Sequence, residues 1–562
     1  MIDSWMVPAW IEKILRDIEA SDCAELTLVI LNKDEPPSKP PLWKRLLSGN
    51  ISPQARRGAL FYLYTLLDAR LFASRRQFSA GCDIRGLCSK AAVVEVMPEK
   101  KKFTDRFTAA DVEAIRSHDL DVVFRFGFRI IRGDILSVAR YGVWSYHHGD
   151  NLVYRGTPAL FWEMYEQNAV SGVVLQILSE TLDGGKVIYR SQSATVLESL
   201  NRQRNEIYWK AASFAIRRLQ DLYSRGWDYI TSLETYQEQP EQLGKMYRAP
   251  GNAEMLPFLF RTFIKHNAAR LLRTRTHIDC WSLAWRHKPD QSHVLKQPFD
   301  TAGFEFIQPP RDRYYADPCA ITVAGRTFVF FEEFRYREEK GVISCLELTE
   351  RGPGPVGTVL ELPYHLSYPF VFEHDGQIYM VPESSANRTI ELYRAMDFPR
   401  RWELERVLIG GIEAVDATLH YDGERWWMFA NGATPTGSHA DELYVFFADS
   451  LDEPWTAHPN NPVISDVRHA RPAGRLFRAG GVLIRPAQDG TGGYGRAVNF
   501  RKITKLTMDE YAEEPVNRIE PPVGRGTIGI HTYTFSGGFE MIDVKRWVWR
   551  TPSRRPARSI AR

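Results

Sequence analysis

Hydrophobic and polar positions follow two different patterns along the chain, and the pattern changes near residue 278. Before that point, short apolar runs that predict strands alternate with stretches of helical period. The predicted strands are Leu26–Leu31, Val122–Phe126 and Val173–Leu178, and the predicted helices include Val7–Ile18, Gly58–Phe72, Thr108–His118, Pro158–Gln167 and Asn201–Tyr223. Such alternation is typical of a mostly parallel sheet covered by helices. It predicts a doubly wound α/β domain over residues 1–225.

After residue 278 the chain consists of short aromatic and β-branched runs separated by glycine turns. Five similar segments recur in this part: YADPCAITVAGRTFVFFEE, YPFVFEHDGQIYMVPES, VDATLHYDGERWWMFAN, PAGRLFRAGGVLIRPAQ and HTYTFSGGFEMIDVKRW. Each reads as two strands joined by a tight turn, and a repeat of this length suggests the blades of a propeller. We therefore predict an all-β, five-bladed propeller over residues 277–550, with an open sandwich as the alternative.

Three other stretches lie outside these domains or on their surface. Residues 36–56 are rich in proline and basic residues, which favours a surface loop. Residues 226–276 predict a helical linker that includes a basic, apolar helix over Pro257–Arg273. The last residues, 551–562, predict a basic disordered tail. Both basic stretches could touch anionic lipid headgroups, although packing between domains and simple solvation are the commoner roles of such segments.

Composition excludes several classes of protein. The 562 residues are 44% hydrophobic and 25% charged, which is ordinary for folded domains. The formal net charge of +3 gives no overall basis for binding nucleic acid. No apolar run is long enough to span a membrane, and no secretory signal opens the chain. The six cysteines are scattered without zinc-ligand spacing, so we expect reduced thiols, no metal site and a cytoplasmic location.

A group of ordered motifs falls within the first domain. They are GVWSYHHGD at 142–150, YRG at 154–156 and LDGG at 182–185. In their order and spacing, these motifs resemble the folate-dependent formyltransferases, a family that acts on glycinamide ribonucleotide, methionyl-tRNA and amino sugars. The resemblance is clearest between residues 119 and 189 and weaker over the rest of the domain.

The resemblance implies a set of functional residues. His147 matches the catalytic histidine and Asp183 the aspartate that orients it, while Ser145 stands where the family has asparagine. Phe126, Gly127 and Ile130 fall where the family lines its pterin pocket. An amine that attacks a formyl carbon creates an oxyanion and releases a proton, so a donor and a base are both needed. The implied formyl donor is 10-formyltetrahydrofolate, and Ser145 puts catalysis in doubt because it replaces an amide donor.

The propeller carries its own candidate residues. Asp317 and Asp416 open two of the repeats and resemble the carboxylate-bearing blade starts of family 43 glycoside hydrolases, and the repeat also resembles the propeller of plant glucosamine inositolphosphorylceramide transferases. The hydrolases use a glutamic acid in a later blade, but this chain has Arg471 and Arg475 there, so Glu383 is the candidate acid. Arginines suit anionic groups. Alternatively, both aspartates only cap turns.

The sequence leaves three functions open. The leading hypothesis is transfer of a formyl group to the amine of an amino sugar or glycan precursor, with the propeller holding the carbohydrate. The second is a propeller that hydrolyses or transfers a glycosyl unit, beside a first domain without catalytic activity. The third is a catalytically inactive recognition protein.

Overall fold

The computed structural model describes residues 1–34, 56–182, 184–233, 244–432, 440–521 and 526–551. The chain forms two compact units, Met1–Ala268 and Ala269–Arg562. The predicted proline-rich loop and basic tail fall almost wholly outside the described residues.

The helices of unit 1 follow the predicted apolar stripes closely. In chain order they are α1 (Ala9–Glu19), α2 (Ala59–Leu71), α3 (Ala109–Arg116), α4 (Phe161–Tyr165), α5 (Leu200–Ser232), α6 (Asn252–Phe258), a π-helical turn (Leu259–Lys265) and α7 (His266–Thr276), which runs into unit 2. Helix α1 buries Trp10, Ile14 and Ile18 on one face, as its period predicts. Helix α5 is interrupted at Gly226, where φ is 79°.

The strands of unit 1 are short and are divided among several small sheets. They are β1 (Met6–Pro8), β2 (Leu28–Asn32), β3 (Gly81–Asp83), β4 (Ala92–Val96), β5 (Glu99–Lys100), β6 (Thr104–Arg106), β7 (Val123–Arg125), β8 (Ile130–Arg132), β9 (Val143–His147), β10 (Arg155–Gly156), β11 (Val170–Ile177), β12 (Lys186–Ala194) and β13 (Met246–Tyr247). The largest sheet has the order β12-β11-β9-β7.

This largest sheet is mixed, and the prediction of a doubly wound parallel sheet is not supported. Strands β7 and β9 are parallel, but β11 is antiparallel to both β9 and β12. The link between β11 and β12, residues 178–185, is shorter than the dozen or more residues that a parallel crossover needs. Met1 and Ile2 connect this sheet to the parallel pair β2 and β4, because the amide of Ile2 donates to Ile30 and that of Phe126 to Met1.

Unit 2 consists of five antiparallel sheets, which we number I to V. Sheet I contains β16 (Arg313–Val323), β17 (Arg326–Arg335), β18 (Lys340–Thr349), β19 (Gly352–Pro353) and β20 (Gly357–Leu360). Sheet II contains β21 (Ser367–His374), β22 (Gln377–Ser384), β23 (Thr389–Asp397) and β24 (Arg401–Gly410). Sheet III contains β25 (Val415–Tyr421), β26 (Trp426–Asn431), β27 (Leu443–Ala448) and β28 (Thr456–Ala457).

The last two sheets complete the unit. Sheet IV contains β29 (Phe477–Ala479), β30 (Val482–Asp489), β31 (Ala497–Leu506) and β32 (Tyr511–Ile519). Sheet V contains β14 (His277–His287), β15 (Glu305–Ile307), β33 (Thr527–Gly529), β34 (Tyr533–Ser536) and β35 (Phe539–Trp549). Four of the five repeated segments coincide with the strand pair that opens a sheet, and the fifth coincides with β34 and β35 of sheet V. The five all-β units that the repeat predicts are therefore present.

Sheet V joins the two ends of unit 2. Strands β14 and β35 pair from His277 with Trp549 to His287 with Phe539, so the first and last strands share one sheet. This closure leaves no free edge between the first and last blades, which is how a propeller avoids unpaired strands. Sheets II, III and IV meet near the starts of their first strands, where the Tyr368 hydroxyl contacts Thr418 and accepts a hydrogen bond from the Gly474 amide.

Candidate functional site

In unit 1, the predicted catalytic residues lie at the end of β9. Nε2 of His147 is 3.1 Å from the carbonyl oxygen of Tyr154. Ser145 is buried, and its hydroxyl accepts a hydrogen bond from Nε of Arg125 at 3.1 Å. Asp183 lies outside the described residues. The two described residues therefore sit on one strand, each with a protein partner.

The residues predicted to line a pterin pocket lie in different surroundings. The Phe126 ring stacks on Phe124 and meets Trp10 edge to face, which places it against the core. The amide of Gly127 donates to Met1. Phe126 lines a cavity of about 790 Å³, whereas Ile130 lines a separate cleft of about 80 Å³ beside His147. Binding of 10-formyltetrahydrofolate remains an untested prediction.

In unit 2, the first strands of sheets I, II and III share an unusual backbone feature. Asp317, Tyr368 and Asp416 have φ of 52°, 41° and 54°, a left-handed conformation that side chains other than glycine rarely adopt. Each lies within a break in the register of its strand pair. A backbone of this kind costs of order 1–3 kcal/mol and is concentrated at functional sites. Both predicted aspartates therefore occupy equivalent, strained positions.

The second strands of the same three sheets place another set of polar residues at one level. Glu332 pairs with Ala316, Glu383 with Ser367, and Asn431 with Val415, in each case the pair directly before the strained residue. Because the register is the same, these three side chains occupy equivalent positions around the unit. Glu383 was among the predicted residues. Glu332 and Asn431 were missed, although their place at the end of each repeat was visible in the sequence.

We call Asp317, Glu332, Glu383, Asp416, Arg471, His531 and Asp543 the axial cluster. His531 lies between two carboxylates: its Nε2 is 2.9 Å from Asp317 and its Nδ1 is 2.7 Å from Asp543. Burial alone would lower the pKa of His531, but the charges of Asp543 and Asp317 outweigh it and raise the pKa to about 10. The pKa of Asp317 is lowered: burial opposes ionisation, but His531 and the Thr532 hydroxyl, which donates at 3.0 Å, favour the carboxylate.

The spacing of Asp317, His531 and Asp543 would also suit a metal ion. A histidine ligand must be neutral, however, with a lone pair directed at the metal. Here both ring nitrogens face carboxylates, and the imidazole is protonated at neutral pH. Without an ion, the imidazolium supplies the positive charge between the two aspartates and the three residues form an ion-paired triad. A metal ion would compete with this proton for the imidazole, so the pKa does not exclude a metal at this position.

Asp416 is held on both carboxylate oxygens. Arg471 approaches one oxygen with Nε at 2.6 Å and the other with Nη2 at 3.3 Å, and Gln488 donates to the first at 2.9 Å. Burial and the negative charges of Glu383 and Asp317 raise the pKa of Asp416 to about 7, although Arg471 opposes this shift. The interaction confirms that Asp317, Glu383, Asp416 and Arg471 lie close enough to influence one another.

Glu332 and Glu383 differ in their exposure. Glu332 is buried, and burial, reinforced by the charge of Asp317, raises its pKa well above the usual range. The Tyr314 hydroxyl contacts it at 3.3 Å. Glu383 is only half-buried. Glu383 is therefore the more exposed carboxyl of this pair.

Arg475 lies outside this hydrogen-bonded network, although it lines the same cavity of about 10 Å³ as Asp317 and Tyr368. Its guanidinium donates to the carbonyl of Val371 and lies over the Phe370 ring at 4.7 Å. The structure therefore brings together four of the five residues predicted for the propeller and places the fifth against sheet II. It adds Glu332, His531 and Asp543. Apart from the polar residues in the last repeat, no pattern along the chain indicated the histidine triad.

Asn431 offers a test of this geometry. Its side chain is fully buried, and among the residues that the structure describes, neither its amide nitrogen nor its oxygen has a hydrogen-bond partner. Replacing an unsatisfied amide with an apolar side chain of similar size removes a penalty of about 1–3 kcal/mol. We expect Asn431→Leu to raise the free energy of unfolding, as measured by urea denaturation.

A matched substitution controls for the change of residue type. Asn517 donates to the carbonyl oxygens of Val294 and Lys296, at 2.8 Å each. Asn517→Leu should therefore lower the free energy of unfolding. If both variants are destabilised to a similar degree, the amide of Asn431 is satisfied in solution and the interpretation is wrong.

Comparison with known families identifies a relationship in the propeller. Residues 307–526 match the family described as glucosamine inositolphosphorylceramide transferase 1, N-terminal. A protein of that name from Oryza sativa subsp. japonica is 39% identical over 209 residues, which is 36% of this chain and 28% of the rice protein. The Arabidopsis thaliana protein is 32% identical over 238 residues, 41% of this chain and 31% of its own length. The chain spans less than a third of these curated relatives.

Solved structures also resemble this chain. One is Zg3597, a family 117 glycoside hydrolase from Zobellia galactanivorans, with a TM-score of 0.31 and 14% identity over 47% of this chain and 90% of its own. Another is the α-L-arabinofuranosidase PaAbf62A from Podospora anserina, with a TM-score of 0.33 and 11% identity over 44% of this chain and 95% of its own. TM-scores this low carry no argument about function.

These findings correct the leading functional hypothesis. The matching relatives are named as transferases of glucosamine inositolphosphorylceramide, and none of the matches reported above names folate or formyl transfer. The hypothesis of formyl transfer is therefore wrong, and the glycosyl-transfer alternative fits better. The predicted resemblance of the propeller to these transferases is confirmed.

Proposed function

We propose that unit 2 binds a glycosyl group at the axial cluster and catalyses its hydrolysis or its transfer to an acceptor hydroxyl. The observation that carries this proposal is that two buried carboxyls on neighbouring strands have pKa values shifted in opposite directions. The neighbouring His531 lowers the pKa of Asp317, whereas burial and the charge of Asp317 raise the pKa of Glu332. Environments that push two carboxyl pKa values apart are the usual basis for separate base and acid roles.

Each residue then has a role that follows from its surroundings. Asp317 would accept the proton of the attacking water or hydroxyl, and Glu332 would donate a proton to the oxygen that leaves the anomeric carbon. The half-buried Glu383 would accept hydrogen bonds from sugar hydroxyls. Asp416, fixed by Arg471 and Gln488, would orient the sugar or stabilise developing positive charge. The unpaired amide of Asn431 could both donate to and accept from a ligand.

The substrate class follows from the relatives. Their names describe transfer involving a sugar, glucosamine, and a phosphorylated ceramide lipid. We infer that the ligand of unit 2 is a glycolipid or a related saccharide. An arginine beside the site suits an anionic group on such a ligand, because its planar fork forms paired bonds to phosphate or carboxylate.

A panel of 4-nitrophenyl glycosides and glucosaminyl lipids tests the proposal in the full chain. We expect turnover of at least one compound, measured by chromatography and mass spectrometry. In Glu332→Gln, the rate should fall about 10²-fold or more for substrates with a poor leaving group and much less for the activated 4-nitrophenyl glycosides, because those need little proton donation.

A control and a contrary outcome make the test specific. Glu347→Gln changes a surface partner of Arg326 in sheet I and should leave both rates unchanged. A Glu332→Gln variant that slows both kinds of substrate equally would exclude Glu332 as the proton donor. The absence of turnover for every compound would exclude the catalytic proposal.

Saccharide binding without catalysis is the second candidate, and one observation favours it. The side chains bonded to Asp416 are Arg471, which precedes sheet IV, and Gln488, which lies in β30 of that sheet, and neither can act as a general acid. Calorimetric titration with the same compounds distinguishes the candidates. Saturable binding without turnover, weakened by Asn431→Leu, would identify unit 2 as a carbohydrate-binding module.

A further inference from the structure

We propose that one helical surface of unit 1 docks on an anionic lipid membrane. The surface is formed by α2 together with α6 and the π-helical turn that follows it. Its exposed apolar residues, which we call the helical patch, are Leu63, Leu66, Leu67, Leu71, Leu256, Phe260 and Ile264. This proposal is independent of the axial cluster.

Helix α2 has a clear division between its faces. Tyr64 and Asp68 are buried on one side, whereas Leu63, Leu66 and Leu67 repeat at helical spacing on the other. Leu67 is 56% exposed. A soluble helix normally turns its leucine stripe to the core. Here the leucine stripe faces solvent, so the fold itself does not explain it.

The second helix lies beside the first and exposes its own apolar residues. Tyr64 of α2 packs edge to face on Phe258 and Phe263, and the amide of Leu60 donates to the Asn252 side chain at 3.1 Å. On the solvent side, Phe260 is 66% exposed. Because both helices pack on each other through their inner residues, their outer apolar residues form one larger patch. Soluble proteins rarely expose large contiguous apolar patches unless these bind something.

Basic residues border the helical patch and indicate that its partner is anionic. The stretches 56–76 and 252–268 contain seven Lys and Arg residues and only two carboxylates. Of these carboxylates, Asp68 is buried and Glu254 accepts a hydrogen bond from the Gly251 amide. Arg70, Arg261 and Lys265 are all exposed beside the apolar residues. Apolar side chains bordered by cations match the boundary between lipid headgroups and acyl chains in an anionic bilayer.

The docking would be peripheral. Among the described residues, no helix is both long enough and apolar enough to cross a bilayer. The leucine and phenylalanine side chains would enter the interface while the arginine and lysine side chains contact headgroup phosphates. Such binding depends on both the apolar area and the charge, so it should weaken at high salt.

Vesicle co-sedimentation of the full chain tests the proposal. We expect binding to vesicles of phosphatidylcholine with phosphatidylglycerol, and at least about tenfold weaker binding to phosphatidylcholine alone. Two double variants should each reduce binding to the anionic vesicles about tenfold or more: Leu66→Ser with Leu67→Ser, and Arg70→Glu with Lys265→Glu. All four positions are exposed, so circular dichroism should show an intact fold.

The matched control is Leu404→Ser, which removes an exposed leucine that lies between Glu403 and Glu405. It should bind vesicles as the unaltered protein does. The proposal is overturned if the unaltered protein does not bind anionic vesicles, or if both double variants bind as well as it does. It is also overturned, in favour of a second copy of the chain, if sedimentation velocity shows self-association that the leucine variant abolishes while vesicle binding persists.

Discussion

Asp317→Asn is expected to lower the rate of glycosyl turnover by about 10³-fold or more while leaving ligand affinity within a fewfold of its original value. An amide has nearly the same shape as the carboxylate and can still accept from His531 and Thr532, so the local structure should persist. It cannot accept a proton, however, and loss of a general base typically costs at least 10²–10⁴-fold. Steady-state kinetics and calorimetry on the same preparation measure the two quantities.

The comparison with Glu332→Gln makes this result specific. A base is needed whatever the leaving group, so Asp317→Asn should slow activated and unactivated substrates alike, whereas Glu332→Gln should spare activated ones. Glu347→Gln again serves as the unaffected control. An Asp317→Asn protein that retains full turnover would show that Asp317 only fixes the strand opening, as many turn aspartates do.

The free energy of unfolding of unit 2 is expected to fall by roughly 3–5 kcal/mol as the pH rises from about 6.5 to about 10. The pKa of His531 is about 10 in the folded protein, against about 6.5 for an unfolded histidine. Its ion pairs therefore contribute fully below pH 6.5, and this contribution is lost as the pH rises through the folded pKa. Asp317 and Asp543 face the ring, and Glu332 also influences it.

Urea denaturation of the full chain at pH 6.5, 8 and 10 measures this change. Asp543→Asn removes one of the two charges that hold the proton, so it should lower stability at pH 6.5 and flatten the pH dependence. Asp279→Asn is the matched control, because Asp279 also lies in sheet V but pairs with Lys545 at an exposed position and should contribute at most about 1 kcal/mol. A pH profile that is the same in the unaltered protein and in Asp543→Asn would mean that His531 is neutral.

The carboxylates of the propeller could be predicted because they recur at defined points of a repeat. Asp317 and Asp416 stand at the same place in their segments, and Glu383 closes another. Their strained backbone could not be predicted, since an aspartate in an extended run is equally consistent with an ordinary strand start. The left-handed φ at both positions follows from the bulge, which depends on pairing with the second strand.

The incorrect prediction of formyl transfer by unit 1 has a related cause. The motifs around His147 occur in the same order as in the formyltransferases. The order of motifs along a chain does not determine the volume of a site or the hydrogen-bond partners of its residues. In the structure, Ser145 is bonded to Arg125, Phe126 packs with other aromatic rings, and the cleft beside His147 is small. Strand direction was also misjudged, because the predicted strand at β11 is antiparallel to its neighbours β9 and β12, whereas a mostly parallel sheet was expected.

The sequence alone therefore determined the local units of this protein: the helices with one apolar face and the five strand pairs with glycine turns. These units depend on residues close together in the chain, so they can be recognised from the sequence alone. Only the tertiary structure decided which polar groups meet, because Asp317, His531 and Asp543 come together through the closure of the propeller by β14 and β35. The pKa values of these groups also depend on the tertiary structure, because burial and neighbouring charges arise only when the sheets have assembled.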